Sequence, residues 1–190
     1  MTKTSRRISP ETSTLVVIDI QDKLLAKLPR AAELVKNAGF LIDAAGLLDV
    51  PVRATEQYPK GLGPTTAEIA RRLPTPAAAK TAFSCCGAGT FLEELEMLQR
   101  PNVVVIGAET HVCVQQTVLD LIAAGLHVVV PADAVCGWGE LDHATALRRM
   151  EGAGAIVTTA EAVAFEWVRD SGHPMFKQVS QLVVARREGR

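Results

Sequence analysis

Three residues of different chemistry stand in the same local setting. Asp19 follows the apolar run Leu15-Val-Val-Ile18, Lys80 follows Ala77-Ala-Ala79, and Cys113 lies a few residues beyond Val103-Val-Val-Ile106. A carboxylate can take a proton, an ammonium can hold a charge in place, and an ionised thiol attacks an electrophilic carbon. Singly each has a plainer reading: a cysteine on an apolar helix is a small core residue, and an aspartate after a strand is a cap. Together they point to a nucleophile served by a carboxylate base. Cys113 falls in the first turn of a helix that Thr110 is placed to cap. The partial positive charge of that helix end, with Lys80 nearby, is expected to lower the thiol pKa. The free N–H groups of the same turn are suited to a developing oxyanion.

The elements that position these groups follow from periodicity. Short apolar runs read as strands at 15–18, 51–55, 77–79, 103–106, 127–130 and 155–157. Between and after them, amphipathic spacing predicts helices over 31–48, 66–73, 89–99, 111–124 and 141–150, then from Glu161 and from Pro174. Continuous apolar strands separated by helices imply a parallel sheet covered on both faces. The expected fold is therefore a three-layer α/β/α sandwich, Rossmann-like in outline, with a central six-stranded parallel sheet and one domain over residues 1–190. In such sheets ligands sit beyond the carboxyl ends of the strands. Asp19 and Gln21, the segment Glu56-Gln-Tyr-Pro59, Lys80 and the segment Gly107 to Cys113 all fall on that edge.

Composition bounds the rest. The chain has 190 residues, 20 Lys+Arg against 21 Asp+Glu, a net charge of -1, 48% hydrophobic and 4% aromatic residues. A chain of this size buries roughly 70% of its unfolded surface, with aliphatic residues and alanine carrying the core. That apolar content excludes disorder as the main state. The charge balance gives no reason to expect a nucleic-acid or membrane-surface partner, and no run approaches the ~18 apolar residues of a span. The start, Met1 to Arg7, lacks the apolar segment expected of a secretory signal and is basic and hydroxyl-rich but too short to argue for a transit peptide, and the polar tail Ala185 to Arg190 is expected to fray. Four cysteines, 85 and 86 being adjacent, do not form a disulfide scaffold and suit a reducing cytoplasm. Cys85 and Cys86 lack the spacing of a metal clip and read as structural filler. Gly87-Ala-Gly89 is no dinucleotide fingerprint. His111 either faces the cleft beside Cys113 or is solvated.

The residues also resemble a known family, the isochorismatase-like cysteine hydrolases, which include nicotinamidase and N-carbamoylsarcosine amidase. The resemblance is carried by Val17-Ile-Asp19-Ile-Gln21, by Lys80-Thr-Ala-Phe83-Ser84 and by Gly107-Ala-Glu-Thr110-His-Val-Cys113-Val114. It is closest to the small isochorismatase-domain subgroup, through Thr55-Glu-Gln-Tyr-Pro-Lys-Gly-Leu-Gly-Pro-Thr65, Asp133-Ala134 and His173-Pro-Met-Phe-Lys177. The resemblance implies Cys113 as nucleophile, Asp19 as general base and later acid, and Lys80 as the orienting charge. It implies a cis peptide at Ala108–Glu109, an oxyanion hole from the N–H groups of Glu109 and Cys113, and a pocket lined by Gln21, Tyr58, Phe83 and Trp138. The implied reaction is hydrolysis of a small-molecule amide or carbamoyl bond through a thioester, by a homo-oligomer without a cofactor.

Two departures narrow this. Metal-dependent nicotinamidases carry Asp-x-His after the second strand, where this chain has Glu56-Gln-Tyr58, and its histidines (111, 127, 143, 173) leave residues 20–100 without one. No nicotinamidase-type metal site is expected. Isochorismatase itself lacks the cysteine and cleaves a vinyl ether, so Cys113 favours the amidase-like branch. Ether or ester cleavage, or a non-catalytic binding role on the same fold, are the alternatives.

Overall fold

The computed structural model describes residues 7–188. Apart from Arg7, the segment Met1 to Arg7 lies outside the described residues, as do the last two residues of the tail.

The strands are β1 (Ser13–Ile18), β2 (Val52–Gln57), β3 (Ala78–Lys80), β4 (Asn102–Ala108), β5 (His127–Pro131), β6 (Val135–Cys136) and β7 (Ile156–Thr158). The helices are α1 (Asp22–Leu25), α2 (Ala31–Leu47), α3 (Pro59–Leu62), α4 (Ala67–Ala70), α5 (Phe91–Met97), α6 (Gln115–Ala123), α7 (Glu140–Gly152), α8 (Ala160–Val168) and α9 (Phe176–Glu188). Sheet order is β3-β2-β1-β4-β5-β7 with every pair parallel, and β6 adds a seventh, two-residue strand beside Gly107 and Ala108 of β4. The strand missed from periodicity is the short β6. β5 leaves β4 after Val129 to follow β7, and β6 fills the opening at the carboxyl end.

The unbroken apolar runs have a simple cause: alternate residues of one strand enter different cores. Leu15, Val17, Val104 and Ile106 pack under α2, α8 and α9, while Val16, Ile18, Val103 and Val105 pack under α5, α6 and α7. With both faces covered there is no polar face to alternate. Trp167 of α8, fully buried, donates its indole N–H to Ser13 Oγ at 3.1 Å and ties the lower layer to the start of β1.

Two helical expectations change. The stretch 66–73 yields only the single turn α4. The expected frayed tail is helical to Glu188, because Arg186 lies over the Phe40 ring at 4.6 Å and pairs with Glu161 and with Asp133. Its charge is an anchor on α2 and α8 rather than a sign of disorder.

The order of strands reverses between β1 and β4, the switch point at which a parallel sheet opens a crevice. Gly107 sits there at φ 127°, paired with Ile18, and a Cβ on it would lie 2.0 Å from the Ile18 carbonyl oxygen. Only glycine lets the tips of β1 and β4 close up. Gly107→Ala is expected to cost about 3 kcal/mol, seen as a melting midpoint lowered by roughly 6–12 °C.

Candidate active site

Asp19 ends β1 fully buried at φ 52°, a left-handed turn that aims its carboxylate across the sheet edge. Its N–H donates to the Thr55 carbonyl at 3.1 Å. Thr55 Oγ1 donates to Oδ1 at 2.9 Å, and Lys80 Nζ donates to Oδ2 at 2.6 Å. Neither side chain of this ion pair is exposed. Lys80, at the end of the edge strand β3, also donates to Gln57 Oε1 at 2.7 Å, to the Phe83 carbonyl at 3.0 Å and to the Ala82 carbonyl at 3.3 Å. Two charges out of water are tolerable only when so fully matched.

Cys113 does not stand in the first turn of an ordinary α-helix. Residues Thr110–Val114 form a π-helical turn ahead of α6, in which Val114 N–H reaches back to the Glu109 carbonyl at 3.2 Å. The Ala108–Glu109 peptide bond that leads into it is cis. Thr110 does not cap this turn. Its Oγ1 meets His143 Nδ1 at 2.9 Å instead, and Glu109 holds the cap position without a side-chain bond. Cys113 is 5% exposed, and its thiol donates toward Gln57 Oε1 at 4.0 Å. Thr117 Oγ1 donates to the Cys113 carbonyl at 2.7 Å and accepts from Cys85 N at 2.9 Å.

The electrostatics correct one expectation. The Cys113 thiol is pushed up to about 12, by burial first and by the Asp19 carboxylate second, against the downward pull of Lys80. The lysine charge is already committed to Asp19, so the helix end and the ammonium do not win. The resting sulfur is a neutral thiol, and ionisation must be coupled to proton transfer onto a neighbouring base. Burial also raises Cys85, and it raises Cys86 to about 11. All four cysteines are free.

The pocket candidates separate. Tyr58, Phe83 and Trp138 are 54%, 53% and 61% exposed, so their rings are open to solvent at the carboxyl edge. Gln21 is not among them: it is fully buried, with Nε2 on the Gly63 and Gln57 carbonyls at 2.6 and 3.1 Å and Oε1 accepting from Gln57 N–H at 2.8 Å. It clamps β2 to the loop after α3, and its amide is spent on backbone. Glu109 and Cys113, named for the oxyanion hole, lie on the one turn. His111 is half-buried, its Nδ1 enclosed without a hydrogen-bond partner.

Two residues have a part that the sequence did not single out, Gln57 standing there only within the segment Glu56 to Pro59. Gln57 touches both Lys80 and Cys113, and its signal was the one that picked Asp19, a polar residue at the tip of a strand. His143, on α7, is buried between Arg30 and Thr110. Arg30 can only donate, so His143 Nε2 accepts at 2.9 Å and the proton resides on Nδ1, facing Thr110. Burial, then the Arg30 guanidinium, holds the His143 pKa below its usual 6.5. Below that pH the unfolded chain binds a proton the folded chain refuses, so folding stability falls as pH drops. Melting midpoints from pH 7.5 to 5.5 are expected to decline, and to decline less steeply in His143→Gln.

Among the described residues no cluster of His, Cys, Asp or Glu is placed to hold a metal ion, and no helix is long and apolar enough to cross a membrane. A cavity of about 1150 Å³ opens at the opposite edge of the sheet, between Asn102, His127 and Phe165, away from all the groups described above.

Comparison with known proteins agrees with the fold. The isochorismatase domain family profile matches residues 13–162. Isochorismatase domain-containing protein 2A of Mus musculus is 38% identical over 178 residues, spanning 93% of this chain and 85% of the mouse protein. The structure described as MAR1 ribonuclease from Caenorhabditis elegans superposes with a TM-score of 0.88 at 42% identity, covering 94% of this chain and 92% of that one. The YcaC gene product of Escherichia coli, described as an octameric hydrolase of unknown specificity, shares the fold at a TM-score of 0.84 and 24% identity, with 100% of each chain covered.

Proposed function

Because this chain belongs to the isochorismatase domain family, we propose that it is a metal-independent cysteine hydrolase cleaving a small amide or carbamoyl C–N bond through a thioacyl-enzyme intermediate. The observation that carries this reading is the unexposed Asp19–Lys80 pair beside the near-buried Cys113 thiol. Asp19 takes the thiol proton as Sγ attacks the carbonyl carbon. The N–H groups of Glu109 and Cys113 receive the negative charge on the carbonyl oxygen. Collapse breaks the C–N bond, and Asp19 returns its proton to the departing amine. A water, deprotonated by Asp19, then hydrolyses the thioester and regenerates the thiol. Lys80, with its N–H groups committed to the cage around it, orients Asp19 and does not bind substrate. The substrate meets Tyr58, Phe83 and Trp138 at the open rim.

The same rim gives a homo-oligomer something to cover, and the octameric bacterial relative is in keeping with that assembly. Free thiols suit a reducing compartment such as the cytoplasm.

The nematode relative's description raises a second reading, cleavage of RNA. Against it, the net charge of -1 gives no overall attraction for a phosphate backbone, and Lys80 is buried. The deciding experiment is a panel of primary amides, N-carbamoyl compounds, vinyl ethers, esters and single-stranded RNA. It is assayed for ammonia and product, with acid-quenched mass spectrometry of the protein. The expected result is ammonia release together with an acyl adduct on Cys113. Turnover that survives in Cys113→Ala would replace this reading with ether or ester cleavage, and RNA as the sole substrate would replace it with the second.

A further inference from the structure

Gln57 holds a place in this site that the nucleophile, base and ammonium do not explain, and its amide has one possible orientation. Lys80 is a pure donor, so the atom 2.7 Å from Nζ must be the amide oxygen, which leaves Nε2 to donate to the Thr81 carbonyl at 2.9 Å. The main chain of Gln57 is equally fixed, by Gln21 on its N–H and on its carbonyl, and the next residue donates to the Lys80 carbonyl at 2.8 Å. The amide oxygen is thus held rigidly between the ammonium and the thiol, 4.0 Å from Cys113 Sγ.

Lys80 offers three N–H groups to four acceptors: Asp19 Oδ2, Gln57 Oε1 and the carbonyls of Ala82 and Phe83. None is spare for sulfur in the resting state. The charged groups acting on the thiol are Asp19 from β1 and Lys80 from β3, while β2 presents only the neutral amide, and Thr117 and the uncharged Cys85 thiol lie behind. A neutral acceptor at position 57 steadies the ammonium without adding a second negative charge beside the sulfur. When Asp19 takes the thiol proton and becomes neutral, the lysine charge is released to the new thiolate.

We propose that Gln57 is a positioning residue that tunes the reactivity of Cys113, holding Lys80 through an uncharged oxygen so that its charge can pass from Asp19 to the thiolate. This rests on the hydrolase reading above.

The test compares wild type, Gln57→Glu and Gln57→Met in the full chain. The readouts are the iodoacetamide modification rate at Cys113 between pH 7 and 10, located by peptide mass, and the melting midpoint. Glutamate keeps the shape and the acceptor for Lys80, gives up only the exposed bond from Nε2 to the Thr81 carbonyl, and puts a like charge about 4 Å from sulfur. Its modification rate at pH 8 is expected to fall about tenfold, with a given rate reached about one pH unit higher. Methionine keeps the size but removes the acceptor, and its rate is expected to rise. A merely structural role predicts that Gln57→Glu, which still satisfies Lys80, reacts like wild type. That result, or a Met variant that is folded and unchanged, overturns the proposal. A wild-type protein that forms no acyl adduct on Cys113 with any amide or carbamoyl compound of the panel overturns the hydrolase reading and this role with it. A reactive wild type matched by Gln57→Glu overturns the role of Gln57 alone.

Discussion

Cys113→Ala is expected to lower kcat by about 10⁴-fold or more on whichever amide or carbamate the panel identifies, with the fold left almost intact. The size follows from the covalent route. Without a sulfur there is no thioester, and an oxyanion hole and a bound substrate alone keep only a small residue of the rate. The small structural cost follows from position. Cys113 packs beside Val114 and Val118 in the layer under α6, and removing one sulfur costs about 1 kcal/mol, or ~2–4 °C at this chain length. Cys113→Ser is expected to be as inactive, because an alcohol is a far weaker acid than a thiol that Asp19 must already work to ionise. Ammonia release and a thermal melt on the same preparation check both halves. Activity within tenfold of wild type in either variant would end the nucleophilic role of this sulfur.

The second large effect concerns the ion pair. Asp19→Asn and Lys80→Met should each abolish turnover and each destabilise the fold by about 3–5 kcal/mol, since each strands one unmatched charge where neither side chain is exposed. The double variant Asp19→Asn/Lys80→Met should recover most of that stability, because a neutral pair no longer has a charge to desolvate, while remaining inactive. Chemical denaturation of the four proteins gives the coupling directly. Losses that simply add in the double variant would mean that the 2.6 Å contact is not what holds either residue in place. Recovery of stability without recovery of activity separates the structural from the chemical function of the same two side chains.

Much of this was legible in the chain. The runs at Leu15 and Val103 carry no polar alternation because each strand feeds two cores, and that alone selects a parallel sheet covered by helices. Once the sheet is parallel, Asp19, Lys80 and the segment ending at Cys113 must emerge at one edge, since every strand points the same way. Family membership follows from the same residues.

What escaped the sequence was decided by contacts between segments far apart in it. Gln21 and Gln57 are both amides at strand tips. The pairing of β2 with β3 sets Gln57 beside Lys80, while the approach of Gly63 and the end of β2 makes Gln21 a backbone clamp, and no local pattern distinguishes them. Thr110 has the composition of a cap but is claimed by His143, more than 30 residues away. Arg186 looks like a frayed polar tail until Phe40 and Glu161 are brought beneath it. The thiol pKa reversed its expected direction for the same kind of reason. The sequence determines which charged groups reach the site, whereas their distances and their exclusion from water, which set the sign of the shift, exist only in the folded chain.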